Sequence, residues 1–385
     1  MTKKNKNKKT VKIILLAVLV LFVTSIVGGF TIYRIYAAKM KSMLLEERLQ
    51  YTLEQMTDNK KIYGTVFSVY RGDDKFEWNG ASGNMNTNSQ YSIASVTKMY
   101  TAAVIMLLIE DGRIELDKSI SEYLSPEVMN GLHIYQGKDY SHDITIRYLL
   151  SHKSGLPDYF TEFTSEISSI EEARRSNLDL NYNINDILYR TKMLSPHFKP
   201  RSEGKAYYSD GNYQLLGEII EKVTDKPLCD VYKEFIFNPL ELKHTYLQTD
   251  NHKWGISSIY NGETEIQVPG ILTSERSAGG IVSTANDNMV FLKAFFAGKL
   301  FHKDYLEQMK LWNKIFFPME YGMGIMRCSI PIGSNYELIG HSGSTGTVSY
   351  YCPARDIYIT GTTQQLDAVK ATEVLYRLLF CFDFE

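Results

Sequence analysis

The chain has 385 residues, 44% of them hydrophobic and 22% charged, which argues against global disorder and leaves room for one large two-part domain or two packed lobes. The net charge is −2, yet residues 1–12 hold six lysines (Lys3, Lys4, Lys6, Lys8, Lys9, Lys12) and no acid, so the rest of the chain stands at −8. A mildly acidic body argues against a nucleic-acid partner, whose binding needs clustered Lys/Arg to displace counterions.

From Ile13 to Tyr33 the sequence reads IILLAVLVLFVTSIVGGFTIY, without a charge. At about 1.5 Å per residue a helix here spans a bilayer core of roughly 30 Å, and the lysines ahead of it mark the cytoplasmic side. The expectation is a cytoplasmic tail over 1–12, a single-pass signal-anchor over 13–33, and everything after about residue 34 outside the cell. A cleaved signal peptide is the rival reading. Its apolar region would be about 7–15 residues and end at an A-x-A-like site, whereas this run is longer and the Ala37-Ala38 pair follows the bulky Ile35 and Tyr36.

Helical periodicity with mixed charge predicts a membrane-proximal helix within 34–59. Residues 60–385 then form the main domain. The segment KIYGTVFSVYRGDDKFEWNGASG alternates, breaks at Arg71-Gly72-Asp73-Asp74 and resumes, a hairpin signal. A long apolar helix opens at Ser95 and stops at Asp111-Gly112, with Gly112 in the C′ place. Residues 113–205 read as loops and short helices. Helices are predicted over Ser209–Val223, 286–297 and Asp367–Phe380, and strands fill most of the text after Tyr321. Strands at both ends with helices between predict an α+β fold. An antiparallel sheet (about 60–94 and 275–385) is flanked by helices and joined to a mostly helical lobe (about 95–274), with the site in the cleft.

Four cysteines (Cys229, Cys328, Cys352, Cys381) and eight histidines show no CxxC or HExxH spacing, so no metal or other cofactor is expected. Cys328 and Cys352 lie in strand-like text and are a possible pair, though four separate thiols fit the low cysteine content better.

Three stretches carry chemistry. SxxK occurs twice, Ser95–Lys98 and Ser202–Lys205, about what chance gives in a chain of this length. The second lies in a Pro/Gly loop, where the spacing does not stack the side chains. The first begins a helix, where i and i+3 share a face and free backbone N–H groups supply positive potential. Burial makes a lysine lose its proton more easily, and a serine needs such a neighbour to become a nucleophile. The bland alternative is an N-cap serine beside a solvated lysine. The second stretch, Tyr208-Ser209-Asp210, precedes a helix; a tyrosine beside a cationic lysine can shuttle a proton, or it can be an aromatic staple before an N-cap. The third, His341-Ser342-Gly343, lies in a strand followed by small residues. They allow a substrate to approach the strand edge, so that a carbonyl could sit between the amides of Ser95 and Ser344. A Gly/Ser hairpin with a surface histidine is the alternative.

In this order the three stretches resemble the serine β-lactamase and penicillin-binding-protein-like family, of the class C type that includes DD-peptidases and esterases. The resemblance covers roughly residues 60–380 and extends to IEDGRIEL (Ile109–Leu116), LLSHKSGLPDY (Leu149–Tyr159) and SAGGIVSTANDNMVFLKAF (Ser277–Phe295). It implies that Ser95 is acylated, that Lys98 takes its proton, that Tyr208 is the general base, and that His341 lends polarity or positive charge near the far end of the substrate. It also implies an oxyanion hole from the main-chain N–H groups of Ser95 and Ser344, with Asp210, Ser342 and Gly343 contacting substrate and no metal. Two positions depart from the family pattern. Asp210 stands where Asn is usual, and a carboxylate only accepts unless protonated; it can instead hold Lys98 charged and leave Tyr208 as base. His341 stands where Lys is usual and is mostly neutral at pH 7. Both lean away from efficient β-lactamase action. The implied function is a membrane-anchored extracytoplasmic serine hydrolase acting on D-alanyl esters or amides of the bacterial envelope, either a peptidoglycan stem or D-alanylated teichoic acid. A class C-type β-lactamase and a non-catalytic penicillin-binding receptor or scaffold are the alternatives.

Overall fold

The computed structural model describes residues 34–329 and 336–384. The predicted span over 13–33 and the basic tail before it lie outside those residues; among the described residues no helix is long and apolar enough to cross a membrane. The chain divides into two compact units, Met1–Thr52 with Arg377–Glu385, and Leu53–Tyr376.

In the first unit residues 34–41 are helical, and α1 (Leu45–Met56) starts after a break at 42–44. The single helix predicted within 34–59 is therefore two. The break has a local cause: the Leu44 N–H donates to the Glu47 carboxylate at 3.0 Å, and Glu46 and Glu47 suit a helix start. Arg48 donates to the Cys381 carbonyl at 2.9 Å.

The second unit is built on an antiparallel sheet. Its strands are β1 (Gly64–Arg71), β2 (Phe76–Gly83), β3 (Asn313–Phe316), β4 (Met319–Tyr321), β5 (Met326–Ser329), β6 (Glu337–Gly343), β7 (Thr347–Cys352) and β8 (Ile357–Thr362). The spatial order is β3-β4-β5-β6-β7-β8-β1-β2. The predicted first hairpin therefore closes onto the last strand of the chain, Val66 opposite Thr362. Strand β8 is buried along its whole length, as a central strand covered on both faces must be. The hairpin β3–β4 was not legible in the sequence, because Phe317-Pro318 at its turn breaks any alternation.

Helix α2 (Thr97–Glu110) has nearly every residue buried, the expected state of a helix apolar all round. It packs against α3 (Asp210–Thr224) and the turn Arg276–Gly279. Helix α3 comes close to that turn at Gly217, where an added Cβ would lie 2.2 Å from Ser277 Oγ. Helix α4 (Ala285–Phe296) lies over β1 and β8, its start capped by Thr284 Oγ1, which accepts from the Asp287 N–H at 3.1 Å. The last helix, α5, runs over Ala368–Phe380. Cys229, Cys328, Cys352 and Cys381 are all free thiols, so Cys328 and Cys352 do not pair.

Candidate active site

Ser95 does not open the helix as predicted. It sits on a 3₁₀ turn, Ala94–Val96, and α2 begins two residues later. The turn is tight: Ala94 holds φ +44°, a left-handed conformation that a non-glycine residue adopts only where its surroundings enforce it. Gly343, at the end of β6, explains part of that enforcement. A Cβ there would lie 2.5 Å from the Ile93 carbonyl oxygen, so only glycine lets the strand edge pass this close to the Ser95 turn. The first and third stretches thus meet in space.

Lys98 is fully buried. Its Nζ donates to Ser95 Oγ at 2.9 Å and to the Ala278 carbonyl at 2.7 Å, and lies 2.6 Å from Asp210 Oδ1. The Asp210 contact is an ion pair without hydrogen-bond alignment. Three oxygens thus lie within 3 Å of Nζ. Burial pushes the Lys98 pKa down, but the Asp210 carboxylate and Tyr208 outweigh burial and hold it above its ordinary value. The rings of Tyr208 and Tyr213 lie 5.1 Å and 5.5 Å from Nζ, cation–π contacts that add to the charged form.

Tyr208 is half-buried. Burial raises its hydroxyl to about 12, against the pull of the Lys98 charge and of hydrogen-bond contact with Lys98 and Ser95. The ring is held by His152, stacked at 4.3 Å. His152 in turn accepts from the Ser209 N–H at 3.2 Å through Nδ1. The LLSHKSGLPDY segment therefore fixes the tyrosine. Asp158, from the same segment, accepts from the Asp210 N–H at 2.9 Å.

His341 has no exposed surface. Nδ1 meets the Ser342 carbonyl at 2.7 Å and Nε2 meets the Tyr321 hydroxyl at 3.0 Å. Burial, then the Lys98 charge, push its pKa down to about 3. Of the two contributions expected from this position, polarity or positive charge, only polarity is available near neutral pH. Tyr321, on the unforeseen strand β4, is the partner that sequence reasoning missed; no spacing marks it among 27 tyrosines. Ser342 Oγ is engaged with the Tyr350 hydroxyl at 2.8 Å.

A narrow cavity opens beside Ser95 and is lined by Ser95, Asp210 and Ser344 among others. Lys98, Tyr208, His341, Ser342 and Gly343 lie outside its lining. Phe160, Trp254, Ile259, Val268, Ile271 and Leu272 make an apolar wall, and Arg174 and Glu275 complete it. Neither charged residue was foreseen. Arg174 sits in EEARR, within the stretch 113–205 that reads only as loops and short helices, and Glu275 just precedes the SAGG segment. Glu275 accepts from the hydroxyls of Tyr159 at 3.1 Å and Tyr182 at 2.5 Å; burial and the Asp210 charge raise it to about 7. The second SxxK lies in an exposed turn, where Ser202 Oγ donates to the Lys199 carbonyl at 2.7 Å, so it does not form a site.

The sequence model of the family Beta-lactamase matches residues 49–381. The chain belongs to that family. Protein flp of Staphylococcus aureus (strain MW2) is 32% identical over 165 residues, 43% of this chain and 29% of that protein. Penicillin-binding protein 4* of Bacillus subtilis (strain 168) is 32% identical over 205 residues, 52% of this chain and 41% of that protein. The chain thus spans less than half the length of these curated relatives. Among solved structures, the D-amino acid amidase of Ochrobactrum anthropi SV3 superposes with a TM-score of 0.73 at 23% identity, covering 88% of this chain and 99% of that one, a likeness of fold. The β-lactamase-family fold, an antiparallel sheet with flanking helices, agrees with the α+β expectation, and members of the family are serine hydrolases.

Proposed function

We propose that this chain is a serine hydrolase that works through an acyl-serine at Ser95 on D-alanyl esters or amides of the bacterial envelope, tethered to the membrane by residues 13–33. The observation that carries the reading is the Lys98 Nζ–Ser95 Oγ hydrogen bond at 2.9 Å, made by a buried lysine to a serine that lines an open cavity.

The charge environment of the site supports the following division of roles. The Asp210 carboxylate favours the charged form of Lys98, so in this reading Lys98 does not take the serine proton, as the family resemblance implies, but stabilises charge growing on Ser95 Oγ. Tyr208, in contact with both residues, is the base when ionised. Ser95 Oγ attacks the substrate carbonyl as its proton passes to the Tyr208 phenolate. The carbonyl oxygen becomes an oxyanion held by the main-chain N–H groups of Ser95 and Ser344. As the bond to the leaving alcohol or amine breaks, Tyr208 returns the proton to that group. Water, activated by Tyr208 in the same way, then releases the acid. His341 and Tyr321 support the strand edge that carries Ser342, Gly343 and Ser344, and Asp210 keeps Lys98 charged while lining the cavity.

The envelope substrate is supported by the likeness to a protein named penicillin-binding protein 4* and by the apolar segment over 13–33. Incubating the purified chain with a D-alanyl-D-alanine peptide and with D-alanylated teichoic acid, and measuring free D-alanine, tests it. Release from either one, lost in Ser95→Ala, is expected; release from neither, with active drug hydrolysis, would favour a β-lactamase.

A further inference from the structure

We propose that Arg174 makes the cavity beside Ser95 the pocket for the acyl part of the substrate and selects an acyl group that ends in a carboxylate. The inference rests on the acyl-serine reading and narrows its substrate. Tyr208 must reach the leaving group to return a proton, and Tyr208 lies outside the lining of the cavity. The leaving group therefore departs on the side of Tyr208, and the acyl group fills the cavity.

The charges lining that cavity do not cancel. Asp210 is neutralised by Lys98 at 2.6 Å. Glu171 forms an ion pair with both Arg174 and Arg175, one carboxylate shared by two guanidinium groups. Glu275 is the remaining acid, and below pH 7 it is held mostly protonated by its surroundings. Arg174 is therefore only partly neutralised, by a carboxylate that it shares with the half-exposed Arg175. Arg174 is only 7% exposed, yet its Nε is buried without an acceptor, as is Nε1 of Trp254 on the same cavity. A buried donor left unpaired is costly, and an anionic ligand supplies the missing acceptor with charge-assisted strength. The guanidinium is fixed in place: it lies 5.2 Å from the Phe160 ring centroid, and Nη1 donates to Ser344 Oγ at 2.9 Å. Ser344 is the residue whose amide is to hold the substrate oxygen, so the anion sits within a few bonds of the scissile carbonyl, its aliphatic link against Ile271 and Leu272.

This chemistry separates the two envelope substrates. A D-alanyl ester has an acyl part with an ammonium and no anion, which Arg174 repels, and any phosphate of a teichoic acid belongs to its leaving group. A D-alanyl peptide with an acidic group ahead of the scissile bond fits.

The test is calorimetric titration of Ser95→Ala at pH 6 with N-succinyl-D-alanyl-D-alanine and with its N-succinamoyl counterpart, which replaces the terminal carboxylate of the acyl part by a carboxamide. The carboxylate ligand is expected to bind about tenfold tighter or more, as a charge-assisted hydrogen bond implies. Adding Arg174→Gln is expected to abolish the preference by weakening the carboxylate ligand much more than the carboxamide, whereas Arg174→Lys, which keeps the charge without the fork, retains part of it. Equal affinities in Ser95→Ala, equal loss of both ligands in Arg174→Gln and Arg174→Lys (the result if Arg174 merely pins Ser344), or binding of neither ligand would overturn the proposal. Because Ser95→Ala does not turn over, failure of the hydrolase reading appears separately, as absence of Ser95 acylation in the wild-type chain.

Discussion

At the scale of single residues, the site depends on which proton Lys98 keeps. Asp210 in place of the usual Asn decides this: its carboxylate overcomes the burial that would otherwise neutralise the lysine. Tyr208, raised to about 12 by burial, is then ionised only to the extent of roughly 10⁻⁵ at pH 7, and this fraction grows about tenfold per pH unit. Acylation by an activated ester is therefore expected to rise about tenfold per unit between pH 7 and 9 in a stopped-flow pH profile; a flat profile would contradict Tyr208 as base. In Asp210→Asn, burial dominates at Lys98, a neutral amine becomes accessible, and the profile is expected to move to lower pH by about one unit or more. An unmoved profile would show that the ion pair does not set the base. Tyr321→Phe leaves His341 Nε2 without its partner at 3.0 Å. It is expected to cost about 1–3 kcal/mol in urea unfolding. Ser95, Lys98, Tyr208 and His341 were legible because family-like spacing marks them. Tyr321, Glu275 and Arg174 were not, because their roles come from burial and from partners 20 to 170 residues away in sequence.

At the scale of elements, two close approaches bring the motifs together. Gly343 lets β6 pass the Ser95 turn, and Gly217 lets α3 pack on the turn Arg276–Gly279, whose Ala278 carbonyl accepts from Lys98. Gly217→Ala would put a methyl group 2.2 Å from Ser277 Oγ and 2.9 Å from its Cβ, so the helix and the turn must part. The expected loss is roughly 1–3 kcal/mol, read as a lower urea midpoint, together with slower acylation because the Lys98 acceptor moves. Unchanged stability and rate would mean that the contact is slack. Helices α2, α3 and α4 were legible within two residues, from apolar periodicity and, for α2, from the stop at Asp111-Gly112. The 3₁₀ turn under Ser95 was not, because the strain at Ala94 is imposed by β6 and not by local sequence.

At the scale of the whole molecule, strands from both ends of the second unit share one sheet. Strand text at the two ends pointed to that sharing, but the register Val66–Thr362 depends on pairing across nearly 300 residues, which no local pattern records. The interior also carries acids that tune stability. Burial, followed by the charge of Asp210, lifts Glu275 and Asp158 to about 7, above an unfolded value near 4. Between about pH 4 and 7 the native state keeps protons that the unfolded chain has lost, so stability falls as pH rises through that window and stays lower above it. Glu275→Gln removes the Glu275 share. Its melting temperature relative to wild type is expected to be a few degrees higher at pH 8 than at pH 5; the same difference at both values would contradict the buried-acid assignment.

The most direct test of the central claim is intact-mass spectrometry of the purified chain after a pulse of benzylpenicillin or an activated D-alanyl ester, with Ser95→Ala alongside. The account expects a covalent acyl adduct on the wild-type chain, mapped to Ser95 by digestion, and none on the variant. A folded wild-type chain that forms no adduct with either reagent, or an adduct of equal yield in Ser95→Ala, would contradict it.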